Sequence, residues 1–352
     1  MSLKASELLE KTIALNGSDL HLNPGRPPVV RVDGALREIP SHDTLTDEQV
    51  EVLCRELCDE RHWSELQEIG TTDFGLAHTA GSRFRVSVLR QRGRLSAVLR
   101  LIPSKLLSMD QIGLPQACRD MLTRPRGLIL VTGPTGSGKT TTLATMVDWI
   151  NENQERHIVT IEDPVEYFHS HKKGLVTQRE IGEDVPDFPE AMRRVLRQDP
   201  DVILLGEMRD LETISAAVTA AETGHLVFGT LHTTGSARTV DRMIDAFPAN
   251  QQEQIRAQLS VSIVGVVSQV LLRRNSGGRI AAFEVMLMNA AIANLIRKNE
   301  TNKIQSTIQT SKRFGMITLD DFLLDLFQRD EITREAAMAA AQSPRELEAR
   351  LA

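Results

Sequence analysis

The sequence predicts an α/β protein: a parallel sheet covered by helices on both faces, preceded by a smaller α+β domain. Three observations predict it. From Met121 onward, short apolar runs alternate with helical patterns, the rhythm of βα units. One of those runs, Leu128-Ile129-Leu130-Val131, leads straight into Gly133-Pro134-Thr135-Gly136-Ser137-Gly138-Lys139-Thr140, and a helical pattern over Thr141 to Ile150 follows at once. Before Ile102 the pattern differs, with short alternating strands set among amphipathic helices.

In chain order, Ser6 to Leu15 reads as a short helix. Leu20-His21-Leu22 and Val29 to Val32 read as strands, and Asp33-Gly34 is a hairpin signal. Thr46 to Leu57 and Arg61 to Ile69 carry helical spacing. Cys54 and Cys58 fall in phase with Val50, Leu53 and Leu57, which makes them core thiols rather than a metal or redox pair. No C-x-x-C occurs, so a cysteine-rich zinc module is excluded. Arg83 to Leu89 alternates, with Phe84, Val86 and Val88 on one face and Arg83, Arg85 and Ser87 on the other. Leu95 to Ile102 follows a turn at Arg92-Gly93. Ile102 to Gln116, with Pro103, Gly113 and Pro115, reads as a linker. The expected boundaries are an α+β domain over 1–102, a linker over 103–118, an α/β core over 119–290 and a helical region over 291–352. In that last region Leu319, Phe322, Leu323, Leu326 and Phe327 form one helical stripe, read as core.

The stretch Gly133 to Thr140 fits the phosphate-loop pattern G-x-x-x-x-G-K-[ST] in full, between a strand and a helix as that pattern requires. Its glycines let backbone N–H groups point inward at an anion, and the following helix adds its positive end. Lys139 can reach β- and γ-phosphates, and the Thr140 hydroxyl can hold Mg²⁺. Three more apolar runs end in chemistry. Ile158 to Ile161 ends in Glu162-Asp163-Pro164-Val165-Glu166, Val202 to Leu205 in Gly206-Glu207, and Leu226 to Leu231 in His232. In open parallel sheets, ligands bind at the C-terminal ends of the strands, so four such ends predict one rim. Hydrolysis needs a group to orient or deprotonate water; Glu166 and Glu207 are the candidates. Gly206 stands where a metal-binding Asp is usual, which shifts the metal set, beside Thr140 and Glu207, toward Glu162, Asp163 or water-mediated contacts. His232 at the rim suits a γ-phosphate sensor. His225 lies at the far end of the same strand and joins the site only if the chain bends there. The helical stretch Phe188 to Gln198 carries Arg193 and Arg197 on one face, for the helix dipole or for a phosphate or subunit contact.

Of 352 residues 25% are charged and 41% apolar, ordinary for a folded soluble protein, and no apolar run reaches bilayer length. The N-terminus leads into a polar segment rather than a signal peptide, so a cytosolic chain is expected. The net charge of −6 argues against wholesale nucleic-acid binding. One stretch departs from it: Phe74 to Met109 holds no Asp or Glu but carries Arg83, Arg85, Arg90, Arg92, Arg94, Arg100 and Lys105. That edge is either a solvated strand face or a surface for phosphate or an acidic partner. No aromatic platform for bases accompanies it.

Taken together, Gly133 to Thr141, Thr160 to Tyr167, Val176 to Glu180, Asp199 to Asp210 and Thr223 to Thr233 resemble the Walker A, Asp-box, Walker B and His-box segments of the secretion-superfamily ATPases, and most of all the type IV pilus retraction (twitching motility) ATPases of the PilT type. Gly17 to Leu22 and Gly81 to Val86 resemble that family's N-terminal domain. The resemblance implies a PAS-like N-terminal domain, a RecA-like P-loop NTPase domain, nucleotide held between the two, and a homo-hexameric ring that uses ATP and Mg²⁺ to extract pilin subunits. It implies that Gly133 through Thr141 bind nucleotide, that Glu166 is the Asp-box catalytic glutamate and Glu207 the Walker B glutamate, and that His225 and His232 are the His-box pair. It also implies that Arg83, Arg85 and Arg100 face the nucleotide, giving the acid-free stretch a purpose. Implied partners are the inner-membrane pilus platform protein and pilus-base proteins, with peripheral association to that membrane complex, a cytoplasmic location docked at the pilus base, and no nucleic acid. A chain with neither the four-cysteine zinc module nor the longer N-terminal extension of the assembly and type II secretion ATPases is expected, which narrows the type. Ala291 to Arg297 resembles the family's A-I-R-N-L-I-R segment with Ala293 in place of Arg, which keeps an accessory or regulatory ring with weak turnover as the alternative.

Overall fold

The computed structural model describes residues 3–32, 34–78, 82–102 and 106–351. It forms two compact units, one of Met1–Lys105 with Pro164–Phe168, the other of Leu106–Asp163 with His169–Ala352.

The first unit is a six-stranded antiparallel sheet in the order β3-β2-β1-β6-β5-β4. Its strands are β1 (Asp19–Leu22), β2 (Val29–Val32), β3 (Ala35–Glu38), β4 (Thr71–Ala77), β5 (Arg83–Gln91) and β6 (Arg94–Ile102). Helices Ala5–Ala14, Asp47–Leu57 and Glu60–Ile69 supply the rest of its core. The alternation on β5 puts Phe84, Val86 and Val88 inside, each fully buried, against Leu53 and Cys54 of the second helix. That helix starts where a capping box fixes it: Thr46 accepts from the Gln49 N–H, and Gln49 accepts from the Thr46 N–H. The β5–β6 turn has Arg92 at φ +51° and Gly93 at φ +78°, the twist a two-residue hairpin loop needs. Gly34 also has a positive φ, between the paired β2 and β3; Asp33 lies outside the described residues, as do Gly81, Pro103 and Lys105. Burial raises the Cys54 thiol to about 12 and the Cys58 thiol to about 11.

The second unit is a seven-stranded sheet, β13-β12-β7-β11-β10-β8-β9. Its strands are β7 (Gly127–Thr132), β8 (His157–Glu162), β9 (Leu175–Glu180), β10 (Val202–Leu205), β11 (Leu226–Leu231), β12 (Ile263–Arg273) and β13 (Arg279–Leu287). Every neighbouring pair is parallel except β12 with β13. Leu128 and Leu130 enter the core on one face of β7, Ile129 and Val131 on the other, all fully buried. Burial on both faces is why these strands read as unbroken apolar runs rather than alternations. The order sets β7, β11, β10 and β8 side by side, so the four runs singled out in the sequence do end on one edge.

Two expectations are corrected and one holds. The expected linker holds a short helix, Met109–Ile112, with its own capping box at Ser108 and Gln111; Met109 and Leu114 are buried in the second unit, so apolar anchoring overrides the proline and glycine signal. The helix expected to reach Gln198 stops at Val195, since Pro200 disfavours continuing the helix up to it, and Asp199 takes a left-handed φ of +52°. Arg197 therefore lies beyond the helix, and Arg193 pairs with Glu190 and Glu212. The stripe on helix Leu319–Gln328 is core as read, with Phe322 edge-on to Phe283 of β13 at 5.6 Å.

Candidate functional site

The loop after β7 is shaped by what surrounds it. Gly133 has φ +147°, and a Cβ there would sit 2.2 Å from the Gln269 carbonyl oxygen and 2.7 Å from Ser137 Oγ, so only glycine fits. Gly138, at φ +88°, is the N-cap of helix Lys139–Asn153 and has no side-chain cap, which leaves the first helical N–H groups to serve something other than a side chain. Pro134, Thr135 and Gly136 are exposed, Ser137 is buried, and Lys139, Thr140 and Thr141 are half-buried in the first helical turn. Lys139 Nζ donates to the carbonyls of Gly133 (2.8 Å) and Pro134 (3.1 Å), so the ammonium lies over the loop. Positive charge, a helix N-terminus and turned-in amides make an anion cradle.

The neighbouring strand ends meet this loop. After β10, Glu207 Oε1 lies 3.0 Å from His232 Nε2 and 2.6 Å from Arg209 Nε. His232, after β11, puts its other nitrogen 3.4 Å from Thr135 Oγ1 of the loop. A carboxylate only accepts, so Nε2 carries the proton in the Glu207 contact. Burial pushes the Glu207 carboxyl up, but the Arg209 hydrogen bond, with the Arg209, His232 and Lys139 charges, outweighs it and holds the carboxyl below its ordinary value. The same hydrogen bond raises Arg209. Helix Leu211–Glu222 is capped by Asp210, not Glu207, which frees Glu207 from a helix-dipole role. Gly206 lies close against β8: a Cβ there would come 3.2 Å from Glu162 Cα and 3.3 Å from the Ile161 carbonyl, so any side chain requires that backbone to give by a few tenths of an ångström.

The expected metal set is only loosely assembled. Glu162 Oε1 accepts from Thr160 Oγ1 (2.6 Å) and Gln178 Nε2 (3.3 Å), and Asp163 is exposed beside it. Among the described residues no three His, Cys, Asp or Glu side chains gather as a metal site. The donors at this edge, the Thr140 hydroxyl and the Glu207 carboxylate, are hard oxygens. They suit a cation that takes one or two protein ligands and completes its shell with phosphate and water, as Mg²⁺ does.

Other expected residues lie elsewhere. His225 stands at the opposite edge of the sheet from His232: the six residues of β11 separate them, about 20 Å of extended chain. Its Nδ1 faces the Ala220 carbonyl and its own carbonyl accepts from Gly127, so the chain does not bend it back to this rim. Glu166 is half-buried in Pro164–Phe168, the segment that packs with the first unit. In that unit Arg83 stacks over the Phe168 ring at 4.3 Å. Arg85 and Arg100 face each other across β5 and β6, both exposed, and Arg100 Nε binds Asp19 at 2.9 Å. Hydrogen bonding to Arg100 and Ser18 holds Asp19 low against the opposing effect of its burial, the largest single influence.

Sequence reasoning missed Arg209 as a partner of Glu207, and it missed Ser268 and Gln269 entirely. Gln269 Nε2 donates to the Ser137 carbonyl (2.5 Å), and Ser268 Oγ accepts from the Gly235 N–H (2.8 Å) in the loop after His232. The signal was two polar residues breaking the apolar run Ile263 to Leu272.

The family described as type II/IV secretion system protein matches residues 3–325. The type IV pilus retractation ATPase PilT of Pseudomonas aeruginosa is 48% identical over 339 residues, 96% of this chain and 98% of its own. The type IV pilus ATPase PilU of the same organism is 36% identical over 346 residues, 98% of this chain and 90% of its own. A crystal structure of the pilus retraction motor PilT with bound ADP superposes with a TM-score of 0.93 at 45% identity, over 99% of each chain.

Proposed function

The chain belongs to the type II/IV secretion system protein family, and on that premise we propose that it is the ATPase that powers type IV pilus retraction. It binds ATP at Gly133 through Thr141, hydrolyses it, and couples turnover to pilin disassembly and twitching motility. The observation that carries this is the junction of three strand ends: Glu207 on His232, and His232 on the phosphate loop. A retraction motor that binds ADP, alike over nearly the whole chain, supports it.

The residues divide the work by chemistry. Main-chain amides of the loop and Lys139 hold the phosphates, and Thr140 with Glu207 would hold Mg²⁺, whose role is to neutralise developing phosphoryl charge. The ionised Glu207 carboxylate orients the attacking water. His232, tied to both Glu207 and Thr135, reports to the carboxylate whether the loop is filled. Glu166, Arg83, Arg85 and Arg100 are proposed catalytic groups on the match of their motifs alone, and Glu162 and Asp163 stand as outer metal contacts. His225 has no role at this rim within its own chain. The working assembly is proposed as a homo-hexamer, cytoplasmic and docked on the inner-membrane platform and pilus-base proteins; no described helix is long and apolar enough to cross a membrane.

Two measurements test this. Purified protein should release phosphate from ATP with Mg²⁺, and Lys139→Ala and Glu207→Ala should abolish that; turnover unchanged in both variants would refute the ATPase. Deleting the gene should leave cells with excess surface pili and no twitching, whereas bald cells would indicate assembly instead. Ala293 favours the second reading, an accessory ring with weak turnover. It is buried at 8% exposure on helix Ala290–Arg297, where the motif has Arg. Steady-state phosphate release by the protein alone would dismiss that reading.

A further inference from the structure

We propose that Gln269 is a positioning residue for phosphate binding: its carboxamide fixes the direction of the Ser137–Gly138 peptide and so aims a main-chain amide into the anion cradle. This rests on nucleotide binding at the loop. The strand register puts Gln269 there. Thr132, the last residue of β7, pairs with Ser268 of β12, and β12 runs on to Arg273. Gln269 is thus the first β12 residue past the end of β7, level with the start of the loop. Its carbonyl oxygen presses on Gly133, and its Nε2 donates to the Ser137 carbonyl at 2.5 Å. A Cβ on Gly138 would lie 3.2 Å from the same Nε2. The side chain is 1% exposed, so water does not compete for the contact.

Peptide geometry converts that contact into function. A trans peptide is planar, with its C=O and N–H pointing in opposite directions. With the Ser137 carbonyl held toward β12, the Gly138 N–H is turned away from β12. Glycine at 138 would otherwise leave the torsion on its side of this peptide free to turn. The hydrogen bond to Ser137 is the one that holds the Gln269 side chain: among the described residues Gln269 Oε1 has no hydrogen-bond partner, and neither does the buried Ser137 Oγ. Residue 268 points to the other face and holds the Gly235 N–H, so adjacent residues of one strand serve the phosphate loop and the His232 loop separately.

The test compares the wild type with Gln269→Met, which keeps length and loses the donor, and Gln269→Glu, which offers only acceptors. A fluorescent ADP analogue reports binding, inorganic tripolyphosphate competes for the loop alone, and thermal melting of nucleotide-free protein reports stability. Gln269→Met should weaken ADP and tripolyphosphate by the same factor, about tenfold, the value of one buried hydrogen bond. Gln269→Glu should weaken both further. Either variant suffices if the other fails to fold. A lowered melting temperature with tripolyphosphate binding within twofold of the wild type would make Gln269 merely structural and overturn the proposal. If the wild type binds neither probe, nucleotide binding itself fails and this inference falls with it.

Discussion

Glu207 takes its character from a competition. Burial alone would favour the neutral acid, but Arg209, His232 and Lys139 keep it ionised. A carboxyl held below its ordinary 4.5 contributes stability that is fully present above that value and lost as pH falls through the lower, folded one. The melting-temperature gap between wild type and Glu207→Gln should therefore be flat from pH 8 to about 5 and close only below 4.5. Arg209 is 78% exposed, so the gap should correspond to less than about 1 kcal/mol. The effect on turnover should be far larger: Glu207→Gln is expected to slow phosphate release by about 10²–10⁴-fold, the usual weight of a positioned acid–base group, while ADP binding persists. The chemistry of Lys139, Thr140 and Glu207 was legible in the sequence because each lies in the loop or turn that follows an apolar run, the first two within a complete phosphate-loop pattern. Gln269 was not, because a hydrogen-bond partner 132 residues away leaves no local pattern, and Arg209, two residues from Glu207, was not because sequence alone does not say which way a loop side chain turns.

At the scale of elements, apolar periodicity decided most outcomes. Strands β10 and β11 fall where the apolar runs do, because strands buried on both faces leave no polar break to misread. Strands β9 and β12 contain Thr177, Gln178, Ser268 and Gln269, whose polar side chains hide the strand until partners satisfy them. Helix Leu319–Gln328 buries Leu323 completely; Leu323→Ala should cost about 2–5 kcal/mol in denaturant unfolding with little change in ADP affinity. In helix Asp47–Leu57 and its cap, Cys54 and Cys58 are buried thiols with raised values, so they stay neutral in the fold. Maleimide at pH 8 should label them more than about 100-fold slower than a free thiol. Their contribution is intact below the ordinary thiol value of 9.0 and is lost as pH rises from there toward 11 and 12.

At the scale of the whole molecule, two units with separate cores predict two events on heating. Calorimetry should resolve two transitions. Saturating ADP should raise the one belonging to the second unit, which carries the phosphate loop, Glu207 and His232, by about 2.7 kcal/mol at a hundred times the dissociation constant. A single transition, or an ADP shift confined to the other, would contradict this division. The first unit is not contiguous in sequence: Pro164–Phe168 belongs with it, and Phe168 lies under Arg83. Composition gave no sign of that, since a five-residue excursion is too short to shift any average.

By itself the sequence determined the phosphate loop, the acidic and histidine strand ends and the α/β class, because each depends on neighbours a few residues apart. Tertiary structure alone decided which strand ends share a rim, that the chain does not bend His225 back to it, that Gly206 lies close against β8, and that β12 delivers Gln269 to the loop. Those outcomes depend on strand order and register, which arise from burying both faces of one sheet at once, and no short window of sequence contains them.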